Sequence, residues 1–296
     1  MKNLLLLLSI ALGILFPYGH SYRFLIRYFL MVLLFFSFLD IRVNKEIITK
    51  KHFIILFTTI FVSIIYFELT KLFNESLAKT AFITAIAPTA IAAPVIISLR
   101  KGKVEFVFFS LLLNNVVITL VIPFLIPLLM KNNAHITAGN IFVPVIITLS
   151  VPFFMARLTK LISPVIWKKL VEWKDMSYYL LIINVYIATS DATNYIKNEM
   201  IGNIQVVIYI AIISASLCII FFSLGWLIGG KEFSAEASQS LGQKNNAFTI
   251  WIALTFLEPI TVLGPVFYVL YQNVYISWVL YKHNKNSSGK LKTIVD

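Results

Sequence analysis

Cysteine is almost absent. Cys218 is the only one in 296 residues and lies inside an apolar run, so an internal disulfide and a cysteine metal site are both excluded. Histidine is nearly as scarce: His20, His52, His135 and His283 all sit at the ends of apolar segments, where they cannot pair as metal ligands at mid-depth. Acids number 13 and glycines 11, and they assemble into no carboxylate pair, Ser-His-Asp arrangement, His cluster or glycine-rich phosphate loop. No catalytic residue is therefore assigned, the chain is not read as an enzyme, no cofactor is implied, and an ATP-driven pump is excluded for this chain alone. Charge is also short, at 13% of residues against about 25% in an average soluble domain.

Apolar residues fill the space left by these absences. They make up 59% of the chain, aromatics 15%, and mean hydropathy is +0.87. No water-soluble fold hides so much apolar surface, so the chain is an integral membrane protein whose first partner is the lipid bilayer. The net charge of +12 is then read by position, because basic residues mark the cytoplasmic ends of spans. It is not a nucleic-acid footprint.

A spanning helix needs about 20 apolar residues. Candidates fall at 3–18, 22–40, 52–72, 78–99 and 105–130, then at 138–160, 176–194, 203–229, 234–257 and 260–282. The first resembles a signal peptide, but Pro17-Tyr18-Gly19-His20 replaces a small-residue cleavage site, and it is kept as a short span. With the N-terminus inside, 18 of the 25 Lys and Arg fall on cytoplasmic segments, 6 outside, and Lys244 completes the count. That bias predicts ten spans with both termini cytoplasmic, in a plasma (inner) membrane. The rival reading makes 231–246 a cytoplasmic loop, leaving only 247–257 for span nine, about 16 Å of helix and half the hydrocarbon thickness.

Two spans are irregular. Span four, AKTAFITAIAPTAIAAPVIISL, carries Pro88 and Pro94; span nine opens with the polar stretch KEFSAEASQSLGQKNN. Each is fourth in its set of five. Because five is odd, a second copy enters the bilayer from the opposite side, which predicts an inverted repeat. Paired interrupted helices point to a transporter's binding site, since backbone groups freed by a break are tolerated only against protein, water or ligand. The expected fold is an all-α polytopic membrane protein of ten helices in two inverted five-helix repeats, with broken helices four and nine crossing. The expected division is 1–130 for the first repeat and 131–175 for helix six with a basic amphipathic link. Residues 176–282 complete the second repeat, and 283–296 form a cytoplasmic tail.

With these features the sequence resembles the bile acid:sodium symporter family. Stretch 87-APTAIAAPVIISLRKGKV-104 lines up with the family's C-P-G-G-T-A-S-N-V-M-T-Y-L-A-x-G-x-V. Stretch 240-SLGQKNNA-247 lines up with E-V-G-M-Q-N-S-G, and 265-PVFYVLYQNVYISWVLY-281 shares Asn273 with the tenth helix. The resemblance implies secondary active transport of a small organic anion by alternating access. It also implies two sodium sites, whose ligand positions here are Ala93-Pro94, Ser240, Lys244, Val107 and Leu111. A hard cation needs several oxygen donors, which most of these side chains lack, so sodium coupling is not expected. The other reading is an anion or metalloid exporter of a related ten-helix family; a membrane enzyme or assembly subunit is the alternative class.

The candidate substrate- or ion-binding residues are Pro88, Thr89, Asn114, Asn115, Gln243, Lys244, Asn245, Asn246 and Asn273. Lys244 is expected inside the protein, its ammonium standing where sodium would, attracting an anion and able to carry a coupling proton. Asn114 and Asn115 are adjacent in a helix, about 100° apart, so they are not expected to face one partner. A half-helix starting near residue 89 would aim its positive end at mid-membrane. Glu68 and Asp191 read as interfacial, and Arg23 and Arg27 as side chains snorkelling outward. No metal ligands are assigned, and the oligomeric state has no sequence signature.

Overall fold

The computed structural model describes residues 2–39, 48–130, 137–199 and 204–292. Arg42, Lys45, Lys131, His135 and the last residues of the expected tail lie outside them. The described residues form helices α1 (Lys2–Leu15), α2 (Leu25–Phe38), α3 (Lys50–Lys71), α4 (Glu75–Ala85), α5 (Ala93–Leu99) and α6 (Val104–Leu129). There follow α7 (Ala138–Ile162), α8 (Pro164–Glu172), α9 (Ser177–Glu199), α10 (Ile204–Gly242), α11 (Asn246–Phe256) and α12 (Leu263–Lys292). Five segments are long and apolar enough to cross a membrane: Lys50–Lys71, Val104–Leu129, Ala138–Ile162, Ile204–Gly242 and Pro259–His283. Leu25–Phe36 and Asn246–Phe256 are shorter apolar helices. Large apolar side chains such as Phe57, Phe61, Phe124, Phe154 and Ile219 point outward, as lipid-facing residues do.

Helix starts follow local chemistry. Asn74 accepts from the N–H groups of Ser76 and Leu77 to begin α4, and Thr137 accepts from Asn140 to begin α7. Ser163 caps α8 ahead of Pro164. This short helix buries no residue fully, and Trp167 ties it down by donating to the Leu39 carbonyl at 2.7 Å. α12 runs on to Lys292, past the expected end of the tenth span at 282.

Two interruptions organise the interior. Between α4 and α5 the backbone is extended around Pro88, because proline has no N–H to continue the helix and pushes its predecessor out of the helical region. The second half-helix begins only at Ala93, four positions later than position 89, and it is one short stretch. The other interruption lies between α10 and α11, at residues 243–245.

Residues 231–242, the start of the polar stretch, are helix and not loop. They form the second arm of α10, which reverses direction where Gly230 takes φ 60°, ψ −150° and Phe233 also leaves helical geometry. Gly230's positive φ is one that other residues rarely adopt. The fold-back is tight: a Cβ on Gly225 would lie 2.6 Å from the Ala237 carbonyl oxygen, and one on Gly229 2.6 Å from Ser234 Cα. Polar groups of this arm are satisfied internally. Ser238 donates to the Phe222 carbonyl at 2.8 Å, and Glu236 accepts the Lys103 N–H at 2.8 Å, at the positive end of α6.

Candidate functional site

The two breaks meet face to face. Residues Thr89 and Lys244 form an antiparallel bridge in which the Ala90 N–H donates to the Gln243 carbonyl and the Asn245 N–H to the Pro88 carbonyl, both at 2.7 Å. Each interruption thus supplies the partners that the other lost, which the bilayer interior demands. Thr89 is the hub. Its hydroxyl donates to the Ser240 carbonyl at 2.7 Å and accepts from Asn114 Nδ2 at 2.7 Å. Its own carbonyl accepts from Asn115 Nδ2 at 2.9 Å. Asn114 and Asn115 therefore do share one partner, contrary to the helical-wheel expectation. The extended backbone at Thr89 presents its hydroxyl and its carbonyl to two sides of α6.

Lys244 leaves the bridge in another direction. Its N–H donates to Gln272 Oε1 at 2.9 Å, while its side chain runs between α3 and the first arm of α10. There Nζ lies 3.8 Å from the centre of the Phe221 ring and 3.5 Å from Thr59 Oγ1. The residue is 2% exposed. Among the described residues it meets no carboxylate, so a sealed amino group rests on one aromatic face and one distant hydroxyl. Tyr268 closes the same region, donating to the Gly242 carbonyl at 2.7 Å.

Three amide atoms at the crossing are buried without a hydrogen-bond partner: Asn114 Oδ1, Asn245 Nδ2 and Asn246 Oδ1. Asn245 Oδ1 meanwhile caps α11 through the Phe248 N–H, and Asn246 Nδ2 donates to the Lys244 carbonyl. Two acceptors and one donor are left beside the positive end of α11, a set suited to a small polar ligand or to water.

A crossing of two interrupted helices inside a lipid-facing shell is a transporter's architecture, and comparison with known families agrees. The model of the SBF-like CPA transporter family matches residues 3–267. The chain belongs to that family. It is therefore a membrane transporter, a member like those of the bile acid:sodium symporter family, as the motifs around Pro88 and Gly242 implied. No curated protein matches it significantly.

In this SBF-like transporter most of the residues singled out from sequence lie at one locus. Pro88, Thr89, Asn114, Asn115, Gln243, Lys244, Asn245 and Asn246 all take part in the bridge or its hydrogen bonds, Gln243 also pairing with Gln239. Asn273 does not: its amide donates to the Val269 carbonyl of its own helix, and its neighbour Gln272 reaches the crossing instead. At the positions that would hold sodium ligands, Ala93, Pro94, Val107 and Leu111 are buried and bring no side-chain oxygen. The hydroxyl of Ser240 donates to the Glu236 carbonyl and keeps its oxygen lone pairs.

Sequence reasoning missed several groups. Thr59, Phe221 and Gln272 carry no motif, and only the packing of α3, α10 and α12 brings them to Lys244. His52 sits at the start of α3 but is fully buried, against Phe106 and the Ser110 hydroxyl. Asp191 is 7% exposed on α9, near Asn184, Thr189 and Ser190, whose buried polar atoms lack hydrogen-bond partners among the described residues. Glu68 is exposed.

Proposed function

We propose that this protein is a secondary active transporter of a small organic anion, working by alternating access around the Thr89–Lys244 crossing. On this reading ten helices form two inverted five-helix repeats. α4 with α5 is the fourth helix, and the second arm of α10 with α11 is the ninth. Both termini are cytoplasmic, in the plasma membrane. The family's sodium sites are lost and Lys244 takes their place.

One observation carries the reading: the Lys244 amino group is buried beside the crossing with no carboxylate against it among the described residues. When protonated it serves the two roles that bound sodium would serve. Its charge offsets the carbonyl-rich break and lowers the energy of an anion arriving at mid-membrane. Because a charge this deep costs at least about 2.5–3.5 kcal/mol, its presence argues for use. The apolar side chains at Ala93, Pro94, Val107 and Leu111 support the loss of sodium binding, since sodium needs oxygen donors.

The test is a thermal-shift screen of organic anions on the purified protein, with and without sodium, followed by uptake in proteoliposomes. Stabilisation by an anion with no sodium effect, and uptake without a sodium gradient, is the expected result. Dependence of uptake on a sodium gradient would overturn it. Protection by oxyanions of arsenic or antimony alone would favour the metalloid exporter, and product formation without translocation an enzyme.

A further inference from the structure

Lys244 is sealed from the surface, so it acts on a substrate through its field and not by contact. An anion crossing the protein still needs hydrogen-bond donors, and Arg27 offers a set of them. Arg27 stands in the first turn of α2, half-buried, where snorkelling outward was the sequence expectation. The structure turns it inward. Its Nε donates to Thr148 Oγ1 of α7 at 3.0 Å, and its guanidinium carbon lies 5.9 Å from the centre of the Trp251 ring on α11. Thr148 and Trp251 are 1% and 3% exposed, so the fork reaches into protein and not lipid.

The contact is directional. The Thr148 hydroxyl donates to the Pro144 carbonyl at 2.7 Å and so offers its lone pair to Nε. That holds the guanidinium plane and leaves both terminal amino groups without a hydrogen bond or ion pair among the described residues. Two parallel N–H donors are the arrangement that matches a carboxylate bidentately. At 5.9 Å the guanidinium lies at the outer limit, about 6 Å, of a cation–π contact with the Trp251 ring. Phe248, one turn back on α11, sits with its ring centre 6.2 Å from that of Trp251. Trp251 is also five residues from the crossing at Asn246, or about 7.5 Å along the helix.

Resting on the organic-anion reading above, we propose that Arg27 is the carboxylate-binding group of the transport site, with Trp251 and Phe248 as the wall for an aromatic or otherwise flat apolar body. α2 and α11 are separate elements, so opening the seam between them admits the carboxylate to the fork, and closing it brings the body onto the ring. Thr148 is a positioning residue. Arg27 does not hold the ligand by charge alone, which a lysine would supply equally; it holds it by the fork.

The experiment measures binding of 2-naphthoate and of its neutral amide, 2-naphthamide, to the purified full chain by calorimetry, with ligand-free melting recorded for each variant. Wild type is expected to bind the carboxylate and discriminate against the amide. Arg27→Gln is expected to lose about tenfold or more in carboxylate affinity while amide binding is unchanged. Arg27→Lys is expected to fall between wild type and Arg27→Gln, and Thr148→Val to weaken the carboxylate only. A structural lesion would instead lower both ligands together, and that result overturns the assignment. Carboxylate affinity unchanged in Arg27→Gln removes Arg27 from the site and leaves the organic-anion reading standing. A wild type that fails to bind 2-naphthoate in preference to the amide overturns the assignment, and if no other organic anion stabilises the protein the organic-anion reading falls with it.

Discussion

Replacing Lys244 by methionine separates a charge kept for function from one kept for stability. A cation near mid-membrane costs at least about 2.5–3.5 kcal/mol. Against that stand two contacts. A desolvated cation–π pair is worth about 2 kcal/mol, here with Phe221 at 3.8 Å. The hydrogen bond to Thr59 at 3.5 Å is at the geometric limit and is worth about 0.5 kcal/mol at most. The balance leaves the lysine neutral to about 1 kcal/mol unfavourable. Methionine keeps the stem's volume and packs well against an aromatic face. Lys244→Met is therefore expected to melt at the wild-type midpoint or up to about 4 °C above it, by scanning fluorimetry in detergent. In proteoliposomes the same variant is expected to lose anion uptake. A loss of more than about 2 kcal/mol would mean that the ammonium is held by partners beyond Thr59 and Phe221, because removing one half of a satisfied buried pair is strongly destabilising. Unchanged uptake would refute the use of the charge.

Thr89→Val keeps the shape of the hub but strips the Ser240 carbonyl and the Asn114 amide of their partner; destabilisation of about 2–3 kcal/mol is expected, with Thr89→Ser within about 1 kcal/mol of wild type. A valine variant as stable as wild type would remove the hub from the account. Gly225→Ala drives a methyl to 2.6 Å from the Ala237 carbonyl and is expected to cost about 1–3 kcal/mol, whereas Gly139→Ala meets nothing within 4 Å and should melt no lower than wild type. In the first turns of α4, Lys79 bridges Glu258 at 2.8 Å and Glu75 at 3.2 Å. Burial opposes the charge on Glu258, yet the Lys79 and Ser76 hydrogen bonds outweigh it and hold the carboxyl below its ordinary value of 4.5. A depressed carboxylate stabilises the fold above its unfolded value and loses that contribution as pH falls further. Melting at pH 3 against pH 6 should then drop more in wild type than in Glu258→Gln, by a fraction of a kcal/mol for a pair whose carboxylate is 39% exposed; equal drops would dismiss the bridge.

Spans such as 105–130 and 138–160 were legible because apolar runs of that length have one stable state in lipid, and α6 and α7 follow them closely. Pro88 was legible as a break because proline leaves the backbone no alternative. The partners of the break were not. The Ser240 carbonyl that takes the Thr89 hydroxyl is a backbone atom 151 residues away and has no side-chain signature. Polarity made 231–246 ambiguous between loop and helix, and packing resolved it. Gly225 and Gly229 let the arm lie against its own helix so closely that its polar groups find partners there. Asn273 and Gln272 are neighbours on α12, and the shared asparagine pointed to the wrong one of the two for the bridge. Arg27 read as an outward-facing charge because its anchors, Thr148 and Trp251, lie on helices formed far later in the chain.

The glycine-tight reversal at Gly230 also governs how the chain enters the bilayer. The second arm carries Glu236, Ser238, Gln239 and Ser240 and would not partition into lipid as an independent segment. It travels instead as the trailing half of a helical hairpin whose leading half is the most hydrophobic of the five long spans among the described residues. Its receptors, the Lys103 N–H and Thr89, are synthesised earlier, so the arm emerges into a membrane that already holds them. Integration therefore ends at the centre of the molecule and not at its periphery. A chain stopped after Gly230 would leave Thr89, Asn114 and Asn115 exposed as a polar seam, a ready mark for membrane quality control.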